Sequence, residues 1–322
     1  MGETTKIEWC DATVSLWWGC TKVSPACANC YAETWARRWG KRLWGPGAPR
    51  ERKVGAEALA RKLNRQAERE GRRLRVFSAS MSDWLDPEVP AEWLADLLAL
   101  IGRTPHLDWL LLTKRPGLWR SRLGAVMNLM PSSLKAAQVY LKVARSWLDG
   151  EAPANVWVGT TVEDQRRADE RIPALLQIPA RIRFLSCEPL LGPLDLAGLA
   201  GGNDYLGDHY DRDEEGIDWI IAGGESGRGA RPSHPDWIRS LRDQAASAGV
   251  AFFFKQWGEW APEGQGAYVD WHPGLDDDDP RWTTVEARDR LSTYALCYRA
   301  GKAAAGRLLD GRAWDELPEA RP

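Results

Sequence analysis

The chain has 322 residues, 44% of them hydrophobic, and a formal net charge of -2. This balance excludes a protein held to nucleic acid by bulk positive charge, and the length allows either one α/β barrel or two ordinary domains. Six cysteines with no signal peptide and no long apolar run indicate reduced thiols in a cytoplasmic protein without membrane contact.

The first predicted strand, over Ala12–Gly19, leads directly into three clustered cysteines. Cys20, Cys27 and Cys30 follow the pattern C-x6-C-x2-C, and a helix is predicted over Tyr31–Leu43. Three cysteine thiolates leave one iron of a four-iron cluster free to bind another molecule. The spacing therefore favours a 4Fe–4S cluster with one open iron.

A structural zinc ion is the second interpretation of these cysteines. Zinc in structural sites takes four ligands, and Cys10 could supply the fourth. The chain would then be a zinc-stabilised, barrel-type binding protein without radical chemistry. Three free buried cysteines are a third interpretation, which the close spacing makes the least favoured.

Basic residues outnumber acidic residues between Arg37 and Arg75, a segment that includes a predicted helix over Val54–Glu70. A solvated helix face is the simpler interpretation. The alternative is a nucleotide or nucleic acid as substrate, bound through charges within Arg61–Arg75.

Six further strands are predicted, each followed by a helix or by a loop. They are Leu74–Ser80, Leu107–Thr113, Asn155–Thr160, Arg181–Ser186, Asp218–Ala222 and Val250–Phe254. This alternation predicts an α/β fold with a parallel sheet, a partial TIM barrel of (βα)6 to (βα)7. We expect residues 1–260 to form the barrel, with helical insertions near 37–73 and 117–150, and residues 261–322 to form an extension packed on it.

Three boundary features complete the predicted fold. Ser233 is the expected N-cap of a helix that ends at Gly249. A Gly- and Asp-rich loop of low order is expected over Gly192–Gly216, and a short helix over Lys302–Leu309.

Polar residues follow nearly every predicted strand, at the face where α/β barrels build their active sites. The groups are Ser80, Ser82 and Asp83; Lys114 and Arg115; Thr161 and Glu163; Cys187 and Glu188; Gly223, Gly224 and Glu225; and Lys255 and Gln256. Their convergence on one face indicates an enzyme rather than a scaffold.

We assign these residues by chemistry. Glu188, Lys255 and Lys114 are the candidate catalytic residues, since a basic side chain can clamp a carboxylate or phosphate and Glu188 can contact ribose or substrate. The candidates for cofactor binding are Ser80, Ser82, Asp83, Thr161, Glu163, Gly223, Gly224 and Glu225. Helix capping would equally explain the first three of these residues. Trp257 could stack on a base, but packing at the barrel rim is the simpler interpretation.

Eight short motifs in the chain carry a resemblance to a known family. They are Thr5–Trp9, Gly19–Pro25, Cys27–Glu33, Ser80–Asp83, Leu112–Pro116, Gly223–Gly227, Phe253–Trp260 and Gly306–Gly311. Together they resemble a phage-associated family of unknown function, described by its three-cysteine motif and similar to the radical S-adenosylmethionine superfamily.

This resemblance implies a partial TIM barrel with a 4Fe–4S cluster in the loop after the first strand. It also implies that S-adenosylmethionine binds the open iron and is cleaved to a 5'-deoxyadenosyl radical that abstracts hydrogen from a substrate. The partners implied are an electron donor such as flavodoxin or ferredoxin and a genomically linked protein. The spacer between Cys20 and Cys27 has six residues, whereas the superfamily uses three.

Overall fold

The computed structural model describes residue 5 and residues 7–130, 134–207, 216–265, 280–287 and 293–319. The strands are β1 (Ala12–Val14), β2 (Trp17–Trp18), β3 (Glu51–Arg52), β4 (Leu74–Ser78), β5 (Leu107–Thr113), β6 (Val156–Thr161), β7 (Ile182–Cys187), β8 (Trp219–Gly223), β9 (Ala251–Gln256), β10 (Ala261–Pro262), β11 (Trp282–Glu286) and β12 (Tyr294–Tyr298). The α-helices are α1 (Tyr31–Arg38), α2 (Ala56–Glu70), α3 (Ala91–Gly102), α4 (Trp119–Met127), α5 (Leu134–Leu148), α6 (Gln165–Leu176), α7 (Pro235–Ala248) and α8 (Lys302–Ala305).

The main sheet has seven strands in the order β1-β4-β5-β6-β7-β8-β9, and every neighbouring pair is parallel. The sheet curls into a half-barrel. Every crossover connection contains a helix except that between β7 and β8, for which the described residues contain none. This confirms the predicted partial TIM barrel. Because the strands are parallel, their carboxyl ends all lie along one edge of the sheet.

Side chains alternate between the two faces of the curled sheet. The outward side chains pack under the helices, whereas the inward ones form a separate aromatic-rich cluster. That cluster, which we call the barrel floor, consists of Trp9, Cys10, Phe77, Leu110, Trp157, Ile182, Phe184, Trp219, Ile221 and Phe253. Several of the 19 tryptophans therefore serve to fill the barrel rather than to bind ligand.

Glycine at position 159 makes room for this floor. A Cβ atom at Gly159 would lie 2.4 Å from the ring of Phe184 on the neighbouring strand. Only glycine therefore leaves room for the Phe184 ring beside β6.

The first predicted strand and helix were both too long. The chain leaves the sheet after Val14, and Trp17–Trp18 pairs antiparallel with Glu51–Arg52 instead. The helix ends at Arg38 because Gly40 takes a positive φ of 71° that stops it.

Other boundaries also differ from the prediction. His234, not Ser233, is the N-cap of α7, because the Ser233 hydroxyl donates to the Leu190 carbonyl instead. The last parallel strand extends to Gln256, so Lys255 lies within it rather than after it. The short C-terminal helix ends at Ala305.

The Gly192–Gly216 loop is only partly described, since residues 208–215 lie outside the described residues. Its first part is ordered by packing: Leu196 and Leu206 are fully buried, and the backbone N–H of Leu196 donates to the Gln244 side chain at 2.7 Å. The expectation of low order is wrong for this part.

The C-terminal region includes a small antiparallel sheet of order β10-β12-β11. The segment after it covers the exposed edge of β9, where the Phe254 N–H donates to the Trp314 carbonyl at 2.9 Å. The proposed division at residue 260 stays a prediction. Within the described residues, no helix is both long enough and apolar enough to cross a membrane.

Candidate functional site

The carboxyl ends of the strands surround a cavity of about 460 Å³ together with residues 20–30, which we call the cysteine loop. Cys20, Cys27 and Cys30 all line it, and each is a free cysteine of intermediate burial. The barrel floor closes the cavity from below through Trp9 and Phe77. The structure therefore brings three cysteines to the face where parallel barrels place their chemistry.

Most of the residues predicted from strand ends line the same cavity. They are Ser80, Ser82, Asp83, Lys114, Thr161, Glu188, Gly224, Glu225 and Lys255. Glu163 is fully buried behind the cavity wall, and Gly223 lies within β8. A Cβ atom at Gly223 would approach the Glu188 carboxylate to 2.6 Å, so this glycine leaves room for Glu188.

The cysteine loop is attached to the strand ends by three pairs of a carboxylate and an arginine, which we call the loop clamps. The first clamp is Asp83 with Arg115, at 2.7 Å. Arg115 also donates to the Thr21 carbonyl at 2.6 Å and lies 3.6 Å from the Cys20 sulfur. The Asp83 carboxylate accepts further hydrogen bonds from the Thr113 hydroxyl and from the backbone N–H of Lys114.

The second clamp is Glu163 with Arg171, at 2.9 Å, and neither side chain is more than 8% exposed. Glu163 also accepts a hydrogen bond from the backbone N–H of Ala26, within the cysteine loop. The neighbouring Asp164 is the N-cap of α6, and its side chain accepts a hydrogen bond from the backbone N–H of Arg167.

The third clamp is Glu225 with Arg231, at 2.6 Å. Glu225 accepts a bond from the Asn29 side chain at 3.0 Å, and Arg231 donates to the Pro25 carbonyl at 3.1 Å. The bond to Glu225 raises the pKa of Arg231. Asn29, beside the last cysteine, is thereby fixed to the glycine-rich loop after β8.

The three carboxylates of the loop clamps are residues that the sequence predicts to bind a cofactor. In the structure Asp83, Glu163 and Glu225 accept hydrogen bonds from protein groups that hold the cysteine loop, and their role in cofactor binding stays a prediction. The arginines Arg171 and Arg231 were missed, because no sequence pattern links them to their acids. Arg115 was noted only as a possible ligand contact.

Other polar groups face the cavity with few protein partners. The Lys114 ammonium lies 3.1 Å from the Thr161 hydroxyl, and no carboxylate of the described residues pairs with it. Glu188 and Lys255 form an ion pair at 3.0 Å across the strand ends. The Ser82 hydroxyl is buried and has no hydrogen-bond partner within the described part of the chain. A buried polar atom without a partner in a cavity wall indicates that a ligand or a water molecule binds there.

Trp257 does not offer a stacking surface in this cavity. It is 1% exposed, and its indole N–H donates to the Leu308 carbonyl. The packing interpretation is confirmed for this residue.

The thiols of the cysteine loop lie in a desolvated environment. Burial raises the pKa of Cys20 to about 12, with a further increase from the Asp83 charge, and burial also raises the pKa of Cys30. Both thiols therefore stay protonated at neutral pH unless a metal centre stabilises the thiolate form.

Cys10 does not join these cysteines. Its thiol lies 3.9 Å from the Ile7 carbonyl, it belongs to the barrel floor, and it does not line the cavity. Among the residues that the structure describes, no three His, Cys, Asp or Glu side chains lie close enough together to hold a single metal ion. In the described residues, Cys10 therefore does not complete a four-cysteine zinc site.

The three cysteines fit an iron–sulfur cluster in donor chemistry. Thiolate is the ligand that such clusters take, and hydrogen bonds to the sulfurs tune them. The structure supplies such donors: Arg115 beside Cys20, and the Ser24 hydroxyl 3.8 Å from the Cys27 sulfur. A four-iron cluster is also wider than one ion, so its ligands lie farther apart.

The fold and site define an α/β partial barrel with three cysteines at the carboxyl ends of its strands. The chain belongs to a family described as a protein of unknown function (DUF5131), whose model matches residues 4–318. This supports the resemblance to a family of unknown function, whereas association with phages stays a prediction.

Solved structures of spore photoproduct lyase are similar to this chain. A variant with bound AdoMet and dinucleoside spore photoproduct is 14% identical over 89% of this chain and 68% of that one, with a TM-score of 0.40. Another variant is 12% identical over 93% and 73% of the two chains, with a TM-score of 0.41. No curated protein matches the chain.

Proposed function

We propose that this protein is a radical S-adenosylmethionine-type enzyme whose 4Fe–4S cluster is held by Cys20, Cys27 and Cys30. The observation that carries the proposal is the position of these three cysteines. They line one cavity at the carboxyl ends of seven parallel strands, with no fourth cysteine among its lining residues. When bound, such a cluster supplies an electron and an open iron, which serve to cleave S-adenosylmethionine and start hydrogen abstraction from a substrate.

The loop clamps give the cysteine loop a fixed shape before any cofactor binds. Arg115 and Ser24 place N–H and O–H groups beside two of the sulfurs. Because these donors are already in place, less conformational free energy is lost in ordering the site when a cofactor binds.

The groups with few partners are proposed to hold the cosubstrate and substrate. Lys114, free of a carboxylate partner among the described residues, suits the carboxylate of S-adenosylmethionine, and the orphaned Ser82 hydroxyl suits a polar group of the same molecule. Glu188, with Lys255 beside it, suits ribose hydroxyls or the substrate. Ser80, Thr161 and the Gly224 backbone complete the wall.

The proposal includes a cytoplasmic location and a one-electron donor of the flavodoxin or ferredoxin type. A genomically linked partner protein is part of the same proposal. The substrate class is a nucleotide or a nucleic acid.

Metal analysis after anaerobic purification tests the cluster. We expect about four iron and four sulfide per chain, a brown colour, and no stoichiometric zinc. Alanine at Cys20, Cys27 or Cys30 should each remove most of the iron, because each thiolate holds a different iron of the cluster.

The matched controls are Cys10→Ala and Cys297→Ala, which change buried cysteines that do not line the cavity. Both should keep the wild-type iron content. A colourless protein with one zinc per chain, lost in the Cys10 variant, would instead establish the zinc-stabilised binding protein.

A further inference from the structure

Helix α1 and its C-cap residue Trp39 carry a row of aromatic side chains that are about half exposed. Tyr31, Trp35 and Trp39 are 58%, 41% and 68% exposed, whereas the adjacent Ala32 and Ala36 are buried. Spacing of four residues places the three rings on one face of the helix. We call them the aromatic stripe. Large aromatics are normally buried for most of their area, so three exposed on one short helix indicate a binding surface.

The rings of the aromatic stripe are held in place by packing. Trp35 contacts the buried Trp18 edge to face, with ring centroids 5.2 Å apart, and Trp39 lies 6.0 Å from Trp35. The indole faces are therefore presented without the loss of rotamer freedom that a mobile side chain would suffer on binding.

Positive charge surrounds the stripe. Residues 31–42 contain four basic residues, Arg37, Arg38, Lys41 and Arg42, and a single acid, Glu33. Arg38 and Arg42 are exposed, and within the described part of the chain no carboxylate pairs with either. The whole chain has a net charge of -2, whereas this segment has an excess of positive charge, which favours an anionic partner.

The stripe begins at the mouth of the candidate active site. Tyr31 lines the cavity, and its hydroxyl donates to the Ser80 carbonyl at 2.5 Å. Trp44 lines both the cavity and a neighbouring groove that Arg37, Lys41 and Arg42 also line. A chain-like ligand lying on α1 would therefore lead into the cavity.

We infer that α1 and the turn after it bind a single strand of nucleic acid, with bases stacked on the aromatic stripe and phosphates near Arg38 and Arg42. Alternating aromatic rings and cations are the features that recognise single strands. A duplex would keep its base faces stacked and unavailable to the indoles. The further statement, that the bound strand is the substrate, rests on the proposed function.

The nucleic-acid contact thus lies on α1 and not on Arg61–Arg75. Helix α2 packs against the outer face of β1, β4 and β5, and Arg61 on it pairs with Glu57. Arg69, exposed near the end of α2, thus serves as a charge control.

Fluorescence anisotropy of the full chain, purified anaerobically, tests the inference with a labelled 12-nucleotide single strand and a matched duplex. We expect the single strand to bind more tightly and to be weakened by salt. Trp39→Ala should weaken binding about tenfold, since stacking on one aromatic is worth that much, and W39F should restore most of it. Arg38→Ala should weaken binding and reduce the salt dependence by about one phosphate contact.

Two controls change exposed residues elsewhere. Tyr294→Ala removes another exposed aromatic, and Arg69→Glu reverses a charge on α2, and both should bind as the wild type does. Circular dichroism checks that the variants are folded. Wild-type affinity in W39A and R38A, or a preference for the duplex, would overturn the inference.

A protein partner on this face is a separate outcome that also contradicts the inference. It would show as self-association that W39A abolishes, with single-strand binding unchanged. If the protein binds the single strand but does not cleave S-adenosylmethionine, this inference stands and the proposed function is refuted. If it cleaves S-adenosylmethionine but does not bind the single strand, the proposed function stands and this inference is refuted.

Discussion

The Arg115 guanidinium joins the cysteine loop to the end of β5. It pairs with Asp83, donates to the Thr21 carbonyl and approaches the Cys20 sulfur, with only 8% of its side chain exposed. Burial lowers the pKa of Arg115, but the charge of Asp83, together with contributions from Cys20 and Asp86, outweighs the effect of burial and raises the pKa. A desolvated pair of this kind is costly to break on one side only.

Replacement of Arg115 by methionine tests this positioning role. The Asp83 carboxylate would stay buried without its cation, so we expect the free energy of unfolding to fall by about 3–5 kcal/mol. The iron content should fall as well, because the Cys20 segment loses its attachment. Thermal unfolding and iron analysis measure the two effects.

The matched control is Arg166→Met, which changes an exposed arginine paired with Glu170 on α6. It should change neither quantity, because exposed pairs contribute little. R115K should recover part of the iron content by keeping the charge. Full iron content and wild-type stability in R115M would contradict the role given to the first clamp.

At the scale of elements, the inner faces of the strands set the depth of the cavity. Trp9 and Phe77 are in contact with a ring centroid distance of 4.6 Å, and both belong to the barrel floor and line the cavity. The floor depends on glycine at position 159, where β6 passes beside Phe184.

Gly159→Ala should crowd this floor. The added methyl group would overlap the Phe184 ring, so we expect a loss of about 1–3 kcal/mol in the free energy of unfolding, measured by denaturant titration. Phe184→Leu in the same chain should recover much of the loss, since the smaller side chain leaves room.

Gly124→Ala in α4 is the control, because a Cβ atom there meets open space. It should leave stability unchanged or slightly higher. If the effects of G159A and F184L were simply additive, the crowding explanation would be wrong.

The elements also show what could be predicted from the sequence. The strand Leu107–Thr113 was predicted with its observed bounds, because a nearly continuous apolar run is a local signal. The end of α1 was not, since it depends on a positive φ at Gly40. The pairing of Trp17–Trp18 with Glu51–Arg52 was missed because it joins segments distant in sequence.

In the site, too, features that depend on local sequence were predicted, whereas contacts between distant segments were not. Residues that follow strands were predicted to converge, because parallel strands end at one edge. Their partners could not be predicted: whether Glu225 faces a ligand or Arg231 depends on how the loops fold back over the strand ends. The exposed face of α1 was missed for a related reason, since the sequence alone did not show which of its aromatics are buried.

At the scale of the whole molecule, one topological fact organises the site. Seven parallel strands bring the cysteine loop, the Lys114 ammonium and the Glu188–Lys255 pair to a single cavity. The aromatic stripe extends from the mouth of that cavity over the outer surface. We propose that these parts belong to one enzyme that acts on an extended anionic substrate.

The formation of 5'-deoxyadenosine from S-adenosylmethionine tests the central claim most directly. The anaerobically purified protein, with its iron and sulfide measured, is reduced with dithionite and incubated with S-adenosylmethionine, and the nucleoside product is quantified by chromatography. We expect the wild type to form 5'-deoxyadenosine and the Cys20→Ala variant to form none. A protein fully loaded with the cluster that forms no 5'-deoxyadenosine above a protein-free control would contradict the claim.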